Sequence, residues 1–342
     1  MRYDIQRAAM GWARSVSLAI FALCSLGATH AQQAPLKIMV NDVEKQIYLP
    51  ATIAKRLGFF EEQGLQVELL SDASGRQDGT DALFSGTVNA VVGFYDHTID
   101  LQARGKFVQS VVQFSRVPGE AVLVASEQAA SIGSPADFAG HRLGVTGLGS
   151  STQVLIRYLA LKHGVRLSDF VITPVGSGAG FVTAMKSGYI DAGMATEPTI
   201  TQLLRTGSAD LLVDLRTPQG SVQVFDGLYP GACLYMETAW IDTHRLQVQK
   251  LVNAFVKALR YIDAHSALEI AALLPPDYFV GDRAQYVDAL AFGKSMFIAD
   301  GRMPESGPPT VLRVLKTVQH ALKSKAIDLS KTYTTDFVDA AP

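Results

Sequence analysis

From Leu36 to Val213 the chain alternates short apolar runs, rich in β-branched residues, with stretches of helical spacing. That alternation constrains the fold more than any other feature. Strands separated by helices build parallel sheets covered on both faces, the α/β class. A first set of strands is expected at Leu36–Val40, Gln66–Leu70, Val88–Phe94 and Phe107–Phe114. Helices are expected over Tyr48–Leu57, Asp81–Ser85 and onward from Asp96. In the first of these, Leu49, Ile53 and Leu57 form one apolar stripe, Pro50 sits in the first turn, and Gly58 is a stop. A second set begins with strands at Ala121–Ala125 and Arg142–Thr146 and a helix over Ser151–His163. It continues through Val171–Val175, Ala179–Lys186, Ile190–Met194, Pro198–Arg205 and Leu211–Val213. After about residue 240 the texture is helical only, with Leu251, Phe255, Leu259 and Ile262 on one stripe. The expected architecture is α/β: two Rossmann-like lobes joined by hinge crossovers, with a helical C-terminal tail. Pro118-Gly119 and the Gly227–Gly231 segment are the expected crossing points. They assign residues 32–118 and 228–342 to lobe 1 and residues 119–227 to lobe 2.

The segment before this pattern reads differently. Arg2, Arg7 and Arg14 precede an apolar run, Ser15–Ala28, too short to span a bilayer well. Thr29-His30-Ala31 then offers a small-x-Ala cleavage site, so residues 1–31 read as a secretory signal. Leu23, not a small residue, precedes Cys24, which argues against a lipoprotein. Removing this segment takes away Arg2, Arg7, Arg14 and Asp4, leaving 27 basic against 31 acidic residues and a net charge of −4. Such a balance lacks the basic footprint of a nucleic-acid binder. Cys233 is then the single cysteine, so no internal disulfide can form. An exported two-lobe chain without disulfides fits a bacterial periplasm. No second apolar stretch reaches the length of a membrane span, so a soluble mature protein is expected.

In open parallel sheets, ligands bind beyond the carboxyl ends of the strands. The loops there are Asn41–Gln46, Ser71–Gly79, Tyr95–Thr98, the region of Arg116, Gly147–Thr152, Gly176–Gly178 and Thr196–Pro198. Gly147–Thr152 (GLGSST) places Ser150, Ser151 and Thr152 where a helix begins. Its first-turn amides and dipole suit a sulfonate, carboxylate or phosphate, or the serines are an ordinary N-cap. No Gly-Lys-Ser/Thr follows, so it is not a P-loop. Tyr95 can stack on a ring, Asp96 can bind or merely cap, and His97 can donate or accept. Arg116 can pair an anion or form a surface ion pair. Ser177 lies in the Gly176–Gly178 loop. Glu197 can receive a ligand N–H or complement a helix terminus. Gln46 joins this set, and Tyr48 and Tyr229 can wall a ligand or serve the core. There is no Gly-x-Ser-x-Gly elbow and no His-Glu-x-x-His. The seven histidines are scattered without metal-ligand spacing, so no metal or cofactor is expected.

Several segments, in order and spacing, resemble one family. They are Ile47–Val67 (IYLPATIAKRLGFFEEQGLQV), Ala82–Gly93 (ALFSGTVNAVVG), Gly149–Thr152 before a helix, Ala184–Pro198 (AMKSGYIDAGMATEP) and Leu251–Leu274. The chain resembles the type II periplasmic solute-binding proteins of ABC importers. Within them it is similar to the nitrate/taurine/sulfonate type, which includes pyrimidine-precursor binders. The resemblance implies two lobes that close on a small solute, then dock on a membrane permease driven by an ATPase. A monomer is implied, with ligand-facing positions at Gln46, Tyr48, Tyr95–His97 and Ser150–Thr152. Asn89 departs from the aspartate frequent in the family. Tyr95-Asp96-His97 departs from the small residues of many sulfonate binders and leaves room for an aromatic or heterocyclic ligand. Two alternatives stand beside transport: an enzyme of pyrimidine-precursor synthesis on the same fold, and a periplasmic sensor partner.

Overall fold

The structure, a computed structural model, describes residues 34–71, 79–279 and 282–342. The expected signal segment 1–31 and most of the loop after the second strand lie outside the described residues.

Among the described residues, ten strands form two five-stranded sheets. They are β1 (Leu36–Val40), β2 (Val67–Ser71), β3 (Ala90–Phe94), β4 (Val108–Gln113), β5 (Glu120–Ala125), β6 (Arg142–Val145), β7 (Val171–Pro174), β8 (Ala192–Thr196), β9 (Ala209–Asp214) and β10 (Ala232–Glu237). The first sheet has the order β2-β1-β3-β10-β4, and the second β7-β6-β8-β5-β9. Strands inside each sheet, such as β3, β5 and β8, are buried along their whole length, which explains their near-continuous apolar sequence. The edge strands β7 and β9 are half-exposed and carry polar residues.

The expectation of purely parallel sheets is corrected. β1 runs parallel to β2 and β3, but β10 is antiparallel to both its neighbours. In the second sheet β6 is parallel to β7 and β8, while β5 is antiparallel to β8 and β9. The reason lies in connectivity. Each parallel strand ends facing the other sheet, so a strand that has just crossed over starts at that end and must run the opposite way. β5 arrives by the 114–119 crossover and β10 by the 215–231 return. Sequence reading missed β10 and the helix Pro218–Phe225 before it. The two crossovers touch at Gly231, where an added Cβ would lie 2.7 Å from the Val117 carbonyl oxygen.

The tail serves both sheets. The long helix Arg245–Ala264 turns its Leu251, Phe255, Leu259 and Ile262 stripe, all fully buried, onto the first sheet. There Phe255 packs on Phe60 and Phe114, with ring centroids 5.3 and 5.1 Å apart. The helix Gly307–Val318 wedges between the helices Asp96–Ala103 and Ser151–Lys162. Val311, Val314 and Leu315 there share one apolar cluster with Ile99, Leu155 and Leu159. A further helix, Arg283–Gly293, abuts Thr199–Arg205, where Asp288 pairs with Arg205. The tail therefore packs on elements of both sheets.

Candidate functional site

A cleft of about 250 Å³ opens between the strand ends of the two sheets. That is room for a small solute rather than a single water. One wall comes from the loop after β1 (Asn41, Asp42, Lys45, Tyr48) and from the helix after β3 (His97, Asp100, Arg104). The other comes from the Thr146–Ser151 turn after β6 and from Ser177 after β7. A larger groove, about 430 Å³, runs beside β9 and the helix Pro218–Phe225. Its walls come only from the second sheet's strands, helices and connections.

The sequence-expected residues divide into two groups. Tyr48, His97, Ser150, Ser151 and Ser177 line the cleft. His97 is half-buried, its ring edge-on to Tyr235 with centroids 6.3 Å apart. Its Nδ1 is buried and has no hydrogen-bond partner among the described residues. The Ser177 hydroxyl donates to Asp42 across the cleft. Ser150 is the N-cap of the helix Ser151–Lys162: its Oγ accepts from Gln153 N at 3.3 Å. The same hydroxyl donates to the Gly147 carbonyl at 2.7 Å, and Gly149 N donates to Gln153 Oε1 at 2.7 Å. The capping alternative therefore holds for Ser150. Ser151 Oγ lies 2.6 Å from Glu120 Oε1, within hydrogen-bond distance.

The remaining seven do not line the cleft. Tyr95 turns into the core, where its hydroxyl meets Thr332 Oγ1 at 2.5 Å and its ring meets Tyr333 edge-on. Asp96 is buried, and its Oδ2 accepts from the Tyr229 hydroxyl at 3.0 Å. This bond ties both residues to the crossover. Burial raises the Asp96 carboxyl above its ordinary value, and raises the Tyr229 hydroxyl further still. Arg116 donates to the Phe297 carbonyl at 3.0 Å and braces the tail. Thr152 Oγ1 accepts from Thr146 N at 3.0 Å and holds the turn in shape. Glu197 is held by Arg216 at 2.7 Å and by the Thr201 hydroxyl at 3.0 Å. It borders only a side crevice of about 10 Å³, too small for a solute. Gln46 donates from its side chain to the Tyr286 carbonyl at 2.9 Å, and its N–H donates to the Glu197 carbonyl at 3.1 Å. It is a tie between the lobes rather than a wall of the cleft.

Sequence reading inspected the Asn41–Gln46 loop without singling out Asp42 and Lys45, which face the cleft. It missed Arg104, whose guanidinium pairs with Asp100 at 2.7 Å on the rim. It also missed Glu120, fully buried under Ser151 at the head of β5. A carboxylate opening an otherwise apolar strand was the available signal. Burial pushes the Glu120 carboxyl up to about 8. The same cause raises the Tyr48 hydroxyl beside it. Glu44 is raised by burial and by the neighbouring charges of Asp42 and Asp277.

A family model described as NMT1/THI5 like matches residues 47–267. The chain belongs to this family. A solved structure from Bordetella bronchiseptica RB50 is 35% identical, with a TM-score of 0.85, covering 90% of this chain and 97% of that one. The alkanesulfonate-binding protein SsuA from Xanthomonas axonopodis pv. citri, solved bound to MOPS, is 19% identical, with a TM-score of 0.69 over 89% and 99% of the two chains. It shares the fold, that of the periplasmic solute-binding proteins. Among curated relatives, YtlA of Bacillus subtilis (strain 168), which carries the provisional name of a binding protein, is 23% identical over 76% of each chain. A 4-amino-5-hydroxymethyl-2-methylpyrimidine phosphate synthase of Aspergillus parasiticus is 27% identical over 64% of each. The chain is thus similar both to a protein named for binding and to one named for synthesis. Among the described residues no group of three His, Cys, Asp or Glu side chains is placed to hold a metal ion. None of their helices is long and apolar enough to cross a membrane.

Proposed function

We propose that this NMT1/THI5-like protein is the solute-capturing component of an ABC importer rather than an enzyme. Export across the inner membrane through residues 1–31 would place it in the periplasm as a monomer. There the lobes, 32–118 with 228–342 and 119–227, close on a small organic solute, an organic anion or a heterocycle. The closed form then docks on a membrane permease with its ATPase. One observation carries this reading: the cleft draws its walls from both lobes, and its polar groups sit at the strand ends. Ligand in such a cleft is held only when the walls approach, which couples binding to a shape a permease can sense. Tyr48 and His97 offer flat surfaces to a ring on one wall, and the Gly147–Ser151 turn offers hydroxyls and backbone amides on the other.

Native mass spectrometry on protein taken from its own periplasm tests this directly. A bound small molecule, released unchanged, is the expected result. Thermal melting should rise with the logarithm of the added solute once it exceeds its dissociation constant. Conversion of that molecule by the pure protein would replace the transport reading with the synthase one.

A further inference from the structure

Two expected cleft hydroxyls meet a buried carboxyl group: Ser177 meets Asp42, and Ser151 Oγ lies 2.6 Å from Glu120 Oε1, which is fully buried. Glu120 Oε2 is buried and has no hydrogen-bond partner among the described residues. The charged and titratable groups facing Glu120 are Lys45 and Tyr48 from the loop after β1, Asp96 from the helix after β3, and Tyr229 from the return crossover. Lys45 favours a charge on Glu120, while Asp96 and burial oppose it. An ionised Glu120 would leave a bare carboxylate oxygen in a dry site, which is costly. Protonated on Oε1, it donates to Ser151 Oγ and leaves only a carbonyl oxygen unmet. A serine hydroxyl has one hydrogen to give. With Glu120 ionised, that hydrogen is used on Glu120, and Ser151 presents only lone pairs to the cleft. With Glu120 neutral, the hydrogen turns outward.

We propose that Glu120 is a positioning residue for the ligand: in its neutral form it turns the Ser151 hydroxyl into the cleft as a donor, which admits a solute with an anionic oxygen at that point. Lys45 on the opposite wall supplies a second donor to the same group. Capture of the anion is then coupled to a proton on Glu120. This rests on the solute-capture reading above. A solute that offered an N–H to Ser151 would instead draw Glu120 to ionise, and its affinity would rise with pH.

The test has two arms. In the first, the protein without residues 1–31 is labelled with ¹³C at its glutamate carboxyls and titrated by NMR, with E120Q assigning the signal. One carboxyl that stays protonated through pH 7 and is missing from E120Q is the expected result. A Glu120 that titrates with the other glutamates below pH 5 overturns the proposal. In the second arm, calorimetry follows MOPS and the solute recovered from the native protein. Wild-type affinity should fall about tenfold per pH unit above pH 8. E120Q, which mimics the neutral acid, should hold the wild type's low-pH affinity at every pH. S151A should lose at least tenfold at pH 6. Wild-type affinity that is flat or rising with pH overturns the proposal and leaves solute capture intact. Absence of any bound solute overturns both the capture reading and the ligand half of the proposal, while the titration still decides whether Glu120 is neutral.

Discussion

The two sheets have the same strand order, yet their outer faces are filled very differently. The first is packed with large rings, Phe60, Phe114 and Phe255 among them, supplied in part by the tail helix. The second mixes Ala121, Ala125, Ala184, Ala195 and Ala209 with Leu123, Met185, Ile190, Ile200 and Leu203 around a single ring, Phe181. It is closed by two short helices, Gly178–Lys186 and Thr199–Arg205. One lobe is a deep core that depends on residues far along the chain, and the other is a thin core made locally. On the solute-capture reading proposed above these are a heavier jaw and a lighter one, and what each presents to the cleft follows that division. The first jaw offers side chains with charge and rings, Lys45, Tyr48 and His97. The second offers a turn of glycines and serines.

The sharpest way to break this contrast is Phe255→Ala, which should cost about 3–5 kcal/mol, the range for truncating a buried ring. Phe181→Ala should fall at the low end of that range, because small neighbours close in more easily. Equal losses in urea unfolding would erase the distinction between the cores. Glu120 comes next. Its folded carboxyl holds a proton up to about pH 8, whereas an unfolded glutamate loses it near 4.5. The folded state therefore binds more protons between these values, so stability falls as pH rises through that window. The effect should be on the order of a few kcal/mol. Wild-type melting temperature should decline from pH 5 to pH 8 more steeply than that of E120Q; parallel curves would show Glu120 ionised beneath the second jaw. Tyr229→Phe removes the bond to Asp96 at the crossover and should cost about 1.5–3 kcal/mol. If instead it leaves melting unchanged, the return crossover is not anchored there. Ser150→Ala removes an N-cap on the lighter jaw and should cost about 1 kcal/mol, read as a small drop in melting temperature. No drop would mean that Gln153 and Gly149 hold the turn alone.

The strands and most helices were legible because buried central strands are apolar throughout and helices end at glycines. Gly58, for example, takes the left-handed conformation at φ 71° after the first long helix. Strand direction was not legible for β5 and β10, because direction is set by which side the chain arrives from. The loops at the strand ends were legible as the place of the cleft. Which side chains face it was not. Tyr95 and His97 are two residues apart, yet one meets Thr332 in the core and the other lines the cleft. Glu197 and Arg116 read as ligand groups until their distant partners, Arg216 and Phe297, are in place. Such partners lie beyond any local pattern.

The place of β10 has a consequence for the order of assembly. It pairs with β3 on one side and β4 on the other, both completed more than a hundred residues earlier in the chain. Until it arrives, the first sheet has a gap with two open strand edges facing each other. Everything in the second sheet is synthesised inside that interval. A chain cut short before Ala232 would thus carry a complete second sheet beside a split first one. Contacts of such long sequence separation close slowly, and the first sheet cannot be complete until every residue of the second has been made.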